Sequence, residues 1–366
     1  MIEIDGSYRE GGGQILRTSL SLSCLFRKPF RICNIRKGRK KPGLMPQHLT
    51  AVRAAQLISD ADVIGDGTGS TELSFSPGEV KSGDFSFDIG TAGSTSLVLQ
   101  TLIPAVVFSN ISHDPFLSPL LKRGKVGLPK EKTTFTLKGG THVPFSPSFH
   151  YLGGVFAPVL TMIGIRIELS IESHGFYPKG GGKVRAEIFL PKNIRPLKAM
   201  RRGKILKLKG YSGVGNLPLS IAERQRSALL DKVSSEIRDL ECPVEIELQN
   251  VSTPGQGTFV FLRSESENSM AGFTSLGERG KKAEVVGAEA AKGFLDYYST
   301  GAALDPHMSD QIVLYLAMCK EESEFSTSRI TEHLMTNLWV ISLFHEYRYS
   351  VEGDVGQAGT VRIYKL

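Results

Sequence analysis

Three consecutive glycines, Gly180–Gly182, constrain most tightly how this chain can fold. They close the stretch His174-Gly-Phe-Tyr-Pro-Lys-Gly-Gly-Gly182, which Lys183 follows. Glycine runs cost backbone entropy, and they occur where a chain turns with positive φ or approaches another backbone or a ligand closely. The flanking segments, 166–172 and 184–190, alternate in the manner of β-strands. The pattern therefore fits two structures, a glycine-rich hairpin turn and a phosphate-binding loop framed by positive charge.

Short strand-like runs alternate with longer helical patterns along the rest of the chain. Helices are predicted over 15–25, 47–59 and 94–107, which gives an α/β rhythm. The 366 residues, 40% of them hydrophobic, suffice for a large core and two domains. Prolines and a basic segment near 191–204, and a polar segment at 264–269, indicate the two limits of a smaller domain with a helix at about 220–240.

Cysteine spacing and hydropathy exclude several classes of protein. The four cysteines show no CxxC spacing, so neither a disulfide framework nor a zinc site is indicated. The longest apolar stretches, such as 96–109, are shorter than the roughly 20 residues of a membrane span, and no targeting segment is evident. We therefore expect a cytoplasmic protein without a membrane partner.

Basic residues are clustered rather than spread evenly. The net charge of +7 and a pI of about 9.1 give a modest bias toward polyanions. The densest runs are 36–41, 122–125 and 201–204. For the last two runs, a charged surface exposed to solvent is a sufficient explanation. The first run is different because Pro42 and Pro46 hold it before a helical pattern, and cations at a helix N-terminus form a good anion site.

A second glycine triplet, Gly11–Gly13, enters the first predicted helix, which carries Arg17 one turn inside. Backbone amides at this position would face an anion, and Arg17 could contact a phosphate. Glu10 lies beside the same position, which makes sense if a divalent cation lies between its carboxylate and the phosphates. The alternative is an ordinary turn before a helix.

The stretch 174–182 resembles, position by position, the signature of the RNA 3'-terminal phosphate cyclase family. Segments 305–314 and 331–344 resemble the same family in the same order, the latter through its His-Leu-x-Thr-Asn motif. The resemblance implies an α/β fold (α+β layered) in which three βαβαββ repeats form the large domain. That domain would comprise 1–188 and 278–366, with a smaller α/β domain, 189–277, inserted before the last repeat.

The same resemblance implies a nucleotide site. The matching positions are expected to bind ATP and its phosphates, with Glu10 also binding Mg²⁺ or Mn²⁺; they are Gln100, His307, Met308, Ser309, Asp310, Gln311, Glu10, Arg17, Arg36, Arg39 and Gln47. His307 departs from the family pattern, which commonly has a tyrosine there that could stack on adenine. Because the histidine ring is smaller than that of tyrosine, we expect this difference to affect the affinity for adenine and the preference among nucleotides.

His333 matches the family's nucleophilic histidine. Apolar residues at helical spacing, from Ile330 to Ile341, predict that His333 lies in the first turn of a helix, where the helix dipole disfavours the imidazolium form. A neutral imidazole is a nucleophile near pH 7. His113, His150 and His345 receive only an ordinary structural interpretation.

The function that the resemblance implies is ATP-dependent conversion of an RNA 3'-phosphate end into a 2',3'-cyclic phosphodiester. The expected intermediates are enzyme-histidine-AMP and RNA(3')pp(5')A, followed by attack of the adjacent 2'-hydroxyl and release of AMP. Two alternatives stay open. One is a non-catalytic cyclase-like RNA-binding protein of ribosomal RNA processing, and the other is a carboxyvinyl transferase with a similar repeat. RNA with a 3'-phosphate end is the expected partner, and the sequence leaves a monomer and a homodimer both open.

Overall fold

The computed structural model describes residues 1–109, 132–238 and 240–364. Within these ranges, no helix is both long and apolar enough to cross a membrane. The basic run at 122–125 and His113 lie outside the described residues.

The first repeat has the order strand, helix, strand, helix, strand, strand. Its sheet order is β1-β2-β4-β3, in which β1 and β2 are parallel and β3 and β4 are antiparallel. Arg27 and Asp60 adopt left-handed backbone conformations that end the two helices. The elements are β1 (Ile2–Asp5), α1 (Gly13–Phe26), β2 (Phe30–Cys33), α2 (Pro46–Ser59), β3 (Asp62–Ile64) and β4 (Leu73–Ser76).

The second repeat has the same order of elements and the equivalent sheet order, β5-β6-β8-β7. Its second helix, α4, consists of an α-helical turn (Phe149–Tyr151), a π-helical segment (Leu152–Phe156) and an α-helix (Ala157–Met162). The other elements are β5 (Asp84–Asp88), α3 (Thr95–Phe108), β6 (Lys132–Gly139), β7 (Ile167–Ser173) and β8 (Gly182–Phe189).

An inserted unit follows the short strand β9 (Lys198–Ala199). Its own sheet has the order β11-β10-β12-β13. One side of this sheet packs on two helices through a separate hydrophobic core that includes Leu229, Val260 and Phe294. The elements are β10 (Ile205–Gly215), α5 (Leu219–Glu236), β11 (Val244–Asn250), β12 (Gly257–Ser266), β13 (Met270–Leu276) and α6 (Ala283–Thr300).

The third repeat is completed after the inserted unit. Strand β9 pairs in parallel with β14, and the sheet order β9-β14-β16-β15 reproduces that of the first two repeats. The remaining elements are α7 (Pro306–Ala317), β14 (Ser323–Thr327), α8 (Glu332–Phe344), β15 (Arg348–Glu352) and β16 (Gly359–Tyr364).

The predicted fold class is confirmed, because three βαβαββ units and a smaller α/β unit are present. The inserted unit interrupts the third repeat after its first strand. The division at 189–277 stays a prediction about domains, and the packing differs from it at both ends. Strand β9 belongs to the third sheet, and α6 buries Ala290 and Phe294 in the core of the inserted unit. Local composition marked a boundary at 191–204, but it did not show which sheet β9 joins or that α6, beyond residue 277, packs on the inserted unit.

The helices α1 and α8 pack side by side in the shared core of the repeats. Phe30 of β2 lies 5.9 Å from Phe75 and 6.0 Å from Phe344, the last residue of α8, between ring centroids. Burial of each such ring stabilises the fold by about 1.5–3 kcal/mol. This packing holds the N-terminus of α8 next to the N-terminus of α1.

Candidate active site

His333 occupies the first turn of α8, as predicted. Thr331 caps this helix, since its Oγ1 accepts a hydrogen bond of 2.9 Å from the backbone N–H of Leu334. The His333 side chain is 45% exposed, and its Nδ1 lies 2.5 Å from Oε2 of Glu10. This contact is an ion pair in which the two atoms lack hydrogen-bond alignment, and it favours the neutral tautomer in which Nδ1 carries the proton and Nε2 carries the free lone pair.

The net pKa shift of His333 is opposite in direction to the shift expected from the helix dipole alone. The contact with Glu10 raises the pKa of His333 above its ordinary value, although burial acts in the opposite direction. A carboxylate at contact distance outweighs the partial charge of a helix end. The imidazole is therefore more basic than the sequence alone indicated.

Glu10 links His333 to the basic segment after β2. Its Oε1 contacts the guanidinium of Arg39, while Oε2 faces His333. Burial alone would raise the pKa of Glu10, but the contacts with His333 and Arg39 outweigh it and hold the pKa below its ordinary value. Glu10 is thus an ionised, largely buried carboxylate between the Arg39 guanidinium and the His333 ring.

The glycine triplet before α1 makes room for this arrangement. A Cβ atom on Gly12 would lie 1.8 Å from Glu10 Oε1, and one on Gly13 would lie 2.5 Å from His48 Nε2. Gly11 has a φ of +54°, which favours glycine. The triplet therefore lets the Glu10 and His48 side chains approach the backbone at the helix start, and a Cβ at Gly12 or Gly13 would displace them.

Arg17 and His48 show that this helix start is electropositive. Burial lowers the pKa of Arg17 to about 10, so the guanidinium stays charged at neutral pH, and its Nη2 donates a 2.6 Å hydrogen bond to Gln14 Oε1. Burial, assisted by the charges of Arg17 and Arg36, lowers the pKa of His48 to about 3. Positive charge and helix-end amides together favour an anionic ligand here.

Three other predicted site residues make contacts outside the group around Glu10: Arg36, Gln47 and Gln100. Arg36 Nη1 donates to the carbonyls of Lys41 and Gly43 at 2.8 and 2.9 Å, so it closes the basic loop. Gln47 Oε1 accepts a 3.2 Å hydrogen bond from the backbone of Ser94. Gln100 Nε2 is buried without a hydrogen-bond partner among the described residues. An unpaired buried amide is available to a ligand.

The segment His307–Gln311 forms the first turns of α7. His307 is exposed, and its ring lies edge-on to Tyr151, with centroids 6.1 Å apart. Met308 and Ser309 are fully buried, so their side chains serve the core. Gln311 Oε1 is buried without a hydrogen-bond partner among the described residues. The predicted nucleotide segment therefore combines packing residues with available polar atoms.

Asp310 lies close to α8. Its Oδ1 accepts a hydrogen bond from the Thr331 hydroxyl, and burial raises its pKa to about 7. Its backbone carbonyl accepts a 2.6 Å hydrogen bond from Nδ2 of Asn337. Asp310 is thus held by the cap and the second turn of α8.

Sequence reasoning missed the polar network that joins α1, α7 and α8. Asn337 Oδ1 accepts hydrogen bonds from Thr18 Oγ1 at 2.7 Å and from Gln14 Nε2 at 2.9 Å. Asn337 follows His333 by one helical turn, within the motif that carried the resemblance. Gln14 Oε1 also accepts a hydrogen bond from Arg17, so the network connects α8 to the electropositive start of α1.

The loop that carries the glycine signature is the connection of a β-hairpin. Strands β7 and β8 pair antiparallel around it. Gly180 and Gly181 have φ values of +65° and +74°, and a Cβ on Gly180 would lie 2.7 Å from the backbone of Ala92. Lys183 pairs with Glu172 at 2.8 Å. These backbone contacts account for the triplet as a close-packed turn.

Comparison with known protein families identifies the family of this chain. The model of the family described as RNA 3'-terminal phosphate cyclase matches residues 8–351. The chain belongs to this family.

Relatives named RNA 3'-terminal phosphate cyclase match over nearly their whole length. The chain is 40% identical to that of Pyrobaculum aerophilum, covering 97% of this chain and 96% of the relative. It is 43% identical to that of Sulfolobus acidocaldarius, covering 97% and 98%. It is 41% identical to that of Thermococcus kodakarensis, covering 100% and 98%.

Proposed function

We propose that this chain is an ATP-dependent RNA 3'-terminal phosphate cyclase that acts through a covalent histidine-AMP. Membership of the family supports the reaction. The observation that carries the assignment of the nucleophile is the contact between Glu10 and Nδ1 of His333. This contact leaves Nε2 free on a half-exposed ring.

In the first step, Nε2 of His333 attacks the α-phosphorus of ATP. A nitrogen–phosphorus bond forms as the bond to the bridging oxygen breaks, and pyrophosphate leaves with that electron pair. The Nδ1 proton stays toward Glu10, which stabilises the positive charge that develops on the ring. The raised pKa of His333 matches this role, because a more basic imidazole is a better nucleophile in its neutral form.

In the second step, a 3'-phosphate oxygen of RNA attacks the histidine-bound phosphorus and releases His333, giving RNA(3')pp(5')A. In the third step, the neighbouring 2'-hydroxyl attacks the terminal RNA phosphorus, loses its proton and displaces AMP. This nucleophile is already tethered beside its target, and intramolecular placement of this kind can supply about 7–11 kcal/mol. The protein then has mainly to orient the end and stabilise charge.

Charge on the phosphates is stabilised by the electropositive start of α1. Arg17 and Arg39 lie beside Glu10 and can turn donors toward phosphate oxygens, because guanidinium groups suit multidentate phosphate contact. Arg36 holds the loop that presents Arg39. The unpaired amide atoms of Gln100 and Gln311 are candidates for the nucleotide's polar edges.

Glu10 is our candidate ligand for Mg²⁺ or Mn²⁺. It fits a cation that takes most of its ligands from phosphate and water, because no group of three ligating side chains surrounds it within the part of the chain described. Arg39, whose side chain is 48% exposed, would have to leave Oε1 to make room. Such an ion would neutralise phosphate charge in each step.

RNA with a 3'-phosphate end is the proposed substrate, and a cytoplasmic location and a role in RNA processing complete the proposal. A homodimer remains a prediction. The non-catalytic alternative requires no nucleophile, so it gains nothing from the ordered, half-exposed His333.

The test is covalent labelling with ATP that carries a label in its α-phosphate, in Mg²⁺ or Mn²⁺, followed by denaturing electrophoresis. We expect an acid-labile, alkali-stable adduct in the wild type and its loss in His333→Ala. The matched control is His345→Ala, at the opposite end of the same helix, where the ring stacks on Phe26 at 5.3 Å. Equal labelling of His333→Ala would contradict the assignment, and an unlabelled, folded wild type would favour the non-catalytic alternative.

A further inference from the structure

Three histidines from separate segments of the second repeat meet away from His333. His142 follows β6, His150 lies in the first turn of α4, and His174 opens the glycine signature. One ring nitrogen from each lies within 4.8 Å of the other two. We call these three residues the histidine cluster. It is the one such group of potential metal ligands within residues 1–109, 132–238 and 240–364.

Hydrogen bonds join the cluster to Thr141 and join two of its rings to each other. Thr141 Oγ1 lies 2.9 Å from His142 Nδ1 and also accepts a 2.9 Å hydrogen bond from the backbone of Gly175. When His142 Nδ1–H donates to Thr141, the lone pair of His142 Nε2 accepts the 2.8 Å hydrogen bond from His150 Nδ1–H, and a bound cation would displace that proton and take both lone pairs. A hydrogen-bond partner on the other ring nitrogen fixes the tautomer of many metal-bound histidines.

His174 has a buried ring nitrogen that no described residue satisfies with a hydrogen bond. Its side chain is buried, with 8% of the residue exposed, and its Nε2 has no hydrogen-bond partner among the described residues. Buried polar atoms are usually paired, and an exception calls for an unseen partner such as an ion. The His174 ring stacks on His142 with centroids 5.1 Å apart, which keeps it beside the other two rings.

The surroundings favour a transition metal over Mg²⁺ or Ca²⁺. Phe259 lies 4.5 Å from His142 and 4.8 Å from His150 between ring centroids, so the cluster is enclosed by aromatic surface. Neutral imidazoles suit zinc, copper and nickel, whereas Mg²⁺ and Ca²⁺ prefer oxygen ligands.

We propose that His142, His150 and His174 bind one zinc ion, with water as the fourth ligand. Zinc–nitrogen bonds of about 2.0–2.1 Å require the three nitrogens to lie roughly 3.4 Å apart. On binding, the distance between the ligating nitrogens of His142 and His150 would increase slightly from 2.8 Å, and the His174 ring would move closer to both. His150 is the least buried of the three, so the water ligand would reach the zinc ion from the side of His150.

Such an ion would link three segments of the fold. His174 donates its backbone N–H to the Ser252 carbonyl at 2.8 Å, in the connection between β11 and β12 of the inserted unit. Phe259 of the same unit packs on the rings. Zinc would therefore tie the signature loop to β6 and α4 where the inserted unit contacts the second repeat. This inference is independent of the proposed reaction.

The test uses the full chain, stripped of metal with a chelator and then titrated with Zn²⁺ or Co²⁺. Bound zinc is counted by mass spectrometry after gel filtration, and Co²⁺ is followed by the visible absorption of a tetrahedral nitrogen site. We expect one zinc per chain, a tetrahedral Co²⁺ spectrum and a higher Tm with zinc. His174→Gln and His150→Gln should each weaken binding at least tenfold.

His333→Gln and His345→Gln are the matched controls and should bind zinc as the wild type does. The wild-type titration does not depend on how any variant folds, and circular dichroism checks each variant. A folded wild type that binds no zinc at equimolar concentration overturns the proposal. Unchanged binding by His174→Gln, or loss of binding in His333→Gln alone, also overturns it, the latter by moving the ion to the Glu10 site.

Discussion

Asp310→Asn should change how the stability of this protein depends on pH. Burial raises the pKa of Asp310 from 3.8 to about 7 in the folded state. The folded state therefore binds the proton more tightly than the unfolded state does. The stability that this proton contributes is complete below the unfolded pKa and is lost as the pH rises through about 7.

The size of the effect follows from the same values. A pKa difference from 3.8 to about 7 corresponds to at most about 4 kcal/mol. Over the accessible range from about pH 5 to pH 8, the wild type should lose roughly 2–3 kcal/mol of unfolding free energy relative to Asp310→Asn. Asparagine does not titrate, and its Oδ1 can still accept the hydrogen bond from Thr331.

The assay is urea unfolding of wild type and Asp310→Asn at matched pH values between about 5 and 8, and the quantity compared is the difference in unfolding free energy. Asp62→Asn, at an exposed position of β3, controls for the general effect of removing a carboxylate. A difference that stays constant within about 0.5 kcal/mol across the range would refute the reasoning. It would mean that Asp310 is ionised throughout despite its burial.

Three further substitutions test the packing of the site. Gly12→Ala places a Cβ 1.8 Å from Glu10 Oε1, so histidine labelling should fall at least tenfold, whereas Gly153→Ala, with open space around its Cβ, should label normally in the same assay. Asp305→Ala removes the cap of α7 and a buried acceptor for the backbone N–H of Gly272, and urea unfolding should show a loss of roughly 3 kcal/mol or more. Asn337→Ala breaks the network between three helices, so the unfolding free energy should fall by about 1–3 kcal/mol; unchanged stability and labelling would show that the network is dispensable.

The α/β class of the fold could be predicted from the sequence because the signals that carry it are local. Alternating strands, helical periodicity and two glycine triplets are visible within a few residues of one another. The three repeats and the inserted domain were expected only from the family resemblance. Composition marked a boundary at 191–204, but it did not show that β9 belongs to the third repeat. Strand β9 is two residues long and acquires its place by pairing with β14, more than a hundred residues later.

The sequence also determined where His333 sits, since its place in a first helical turn follows from the apolar spacing after Thr331. The tertiary structure decided its chemistry. Glu10 and His333 come from opposite ends of the chain, and their contact reverses the direction of the pKa shift that the helix alone predicts. The same holds for His142, His150 and His174, whose spacing matches no metal motif and which meet only when three segments fold together. Local pattern fixes backbone form, whereas charge and coordination depend on distances in space that only the packed chain sets.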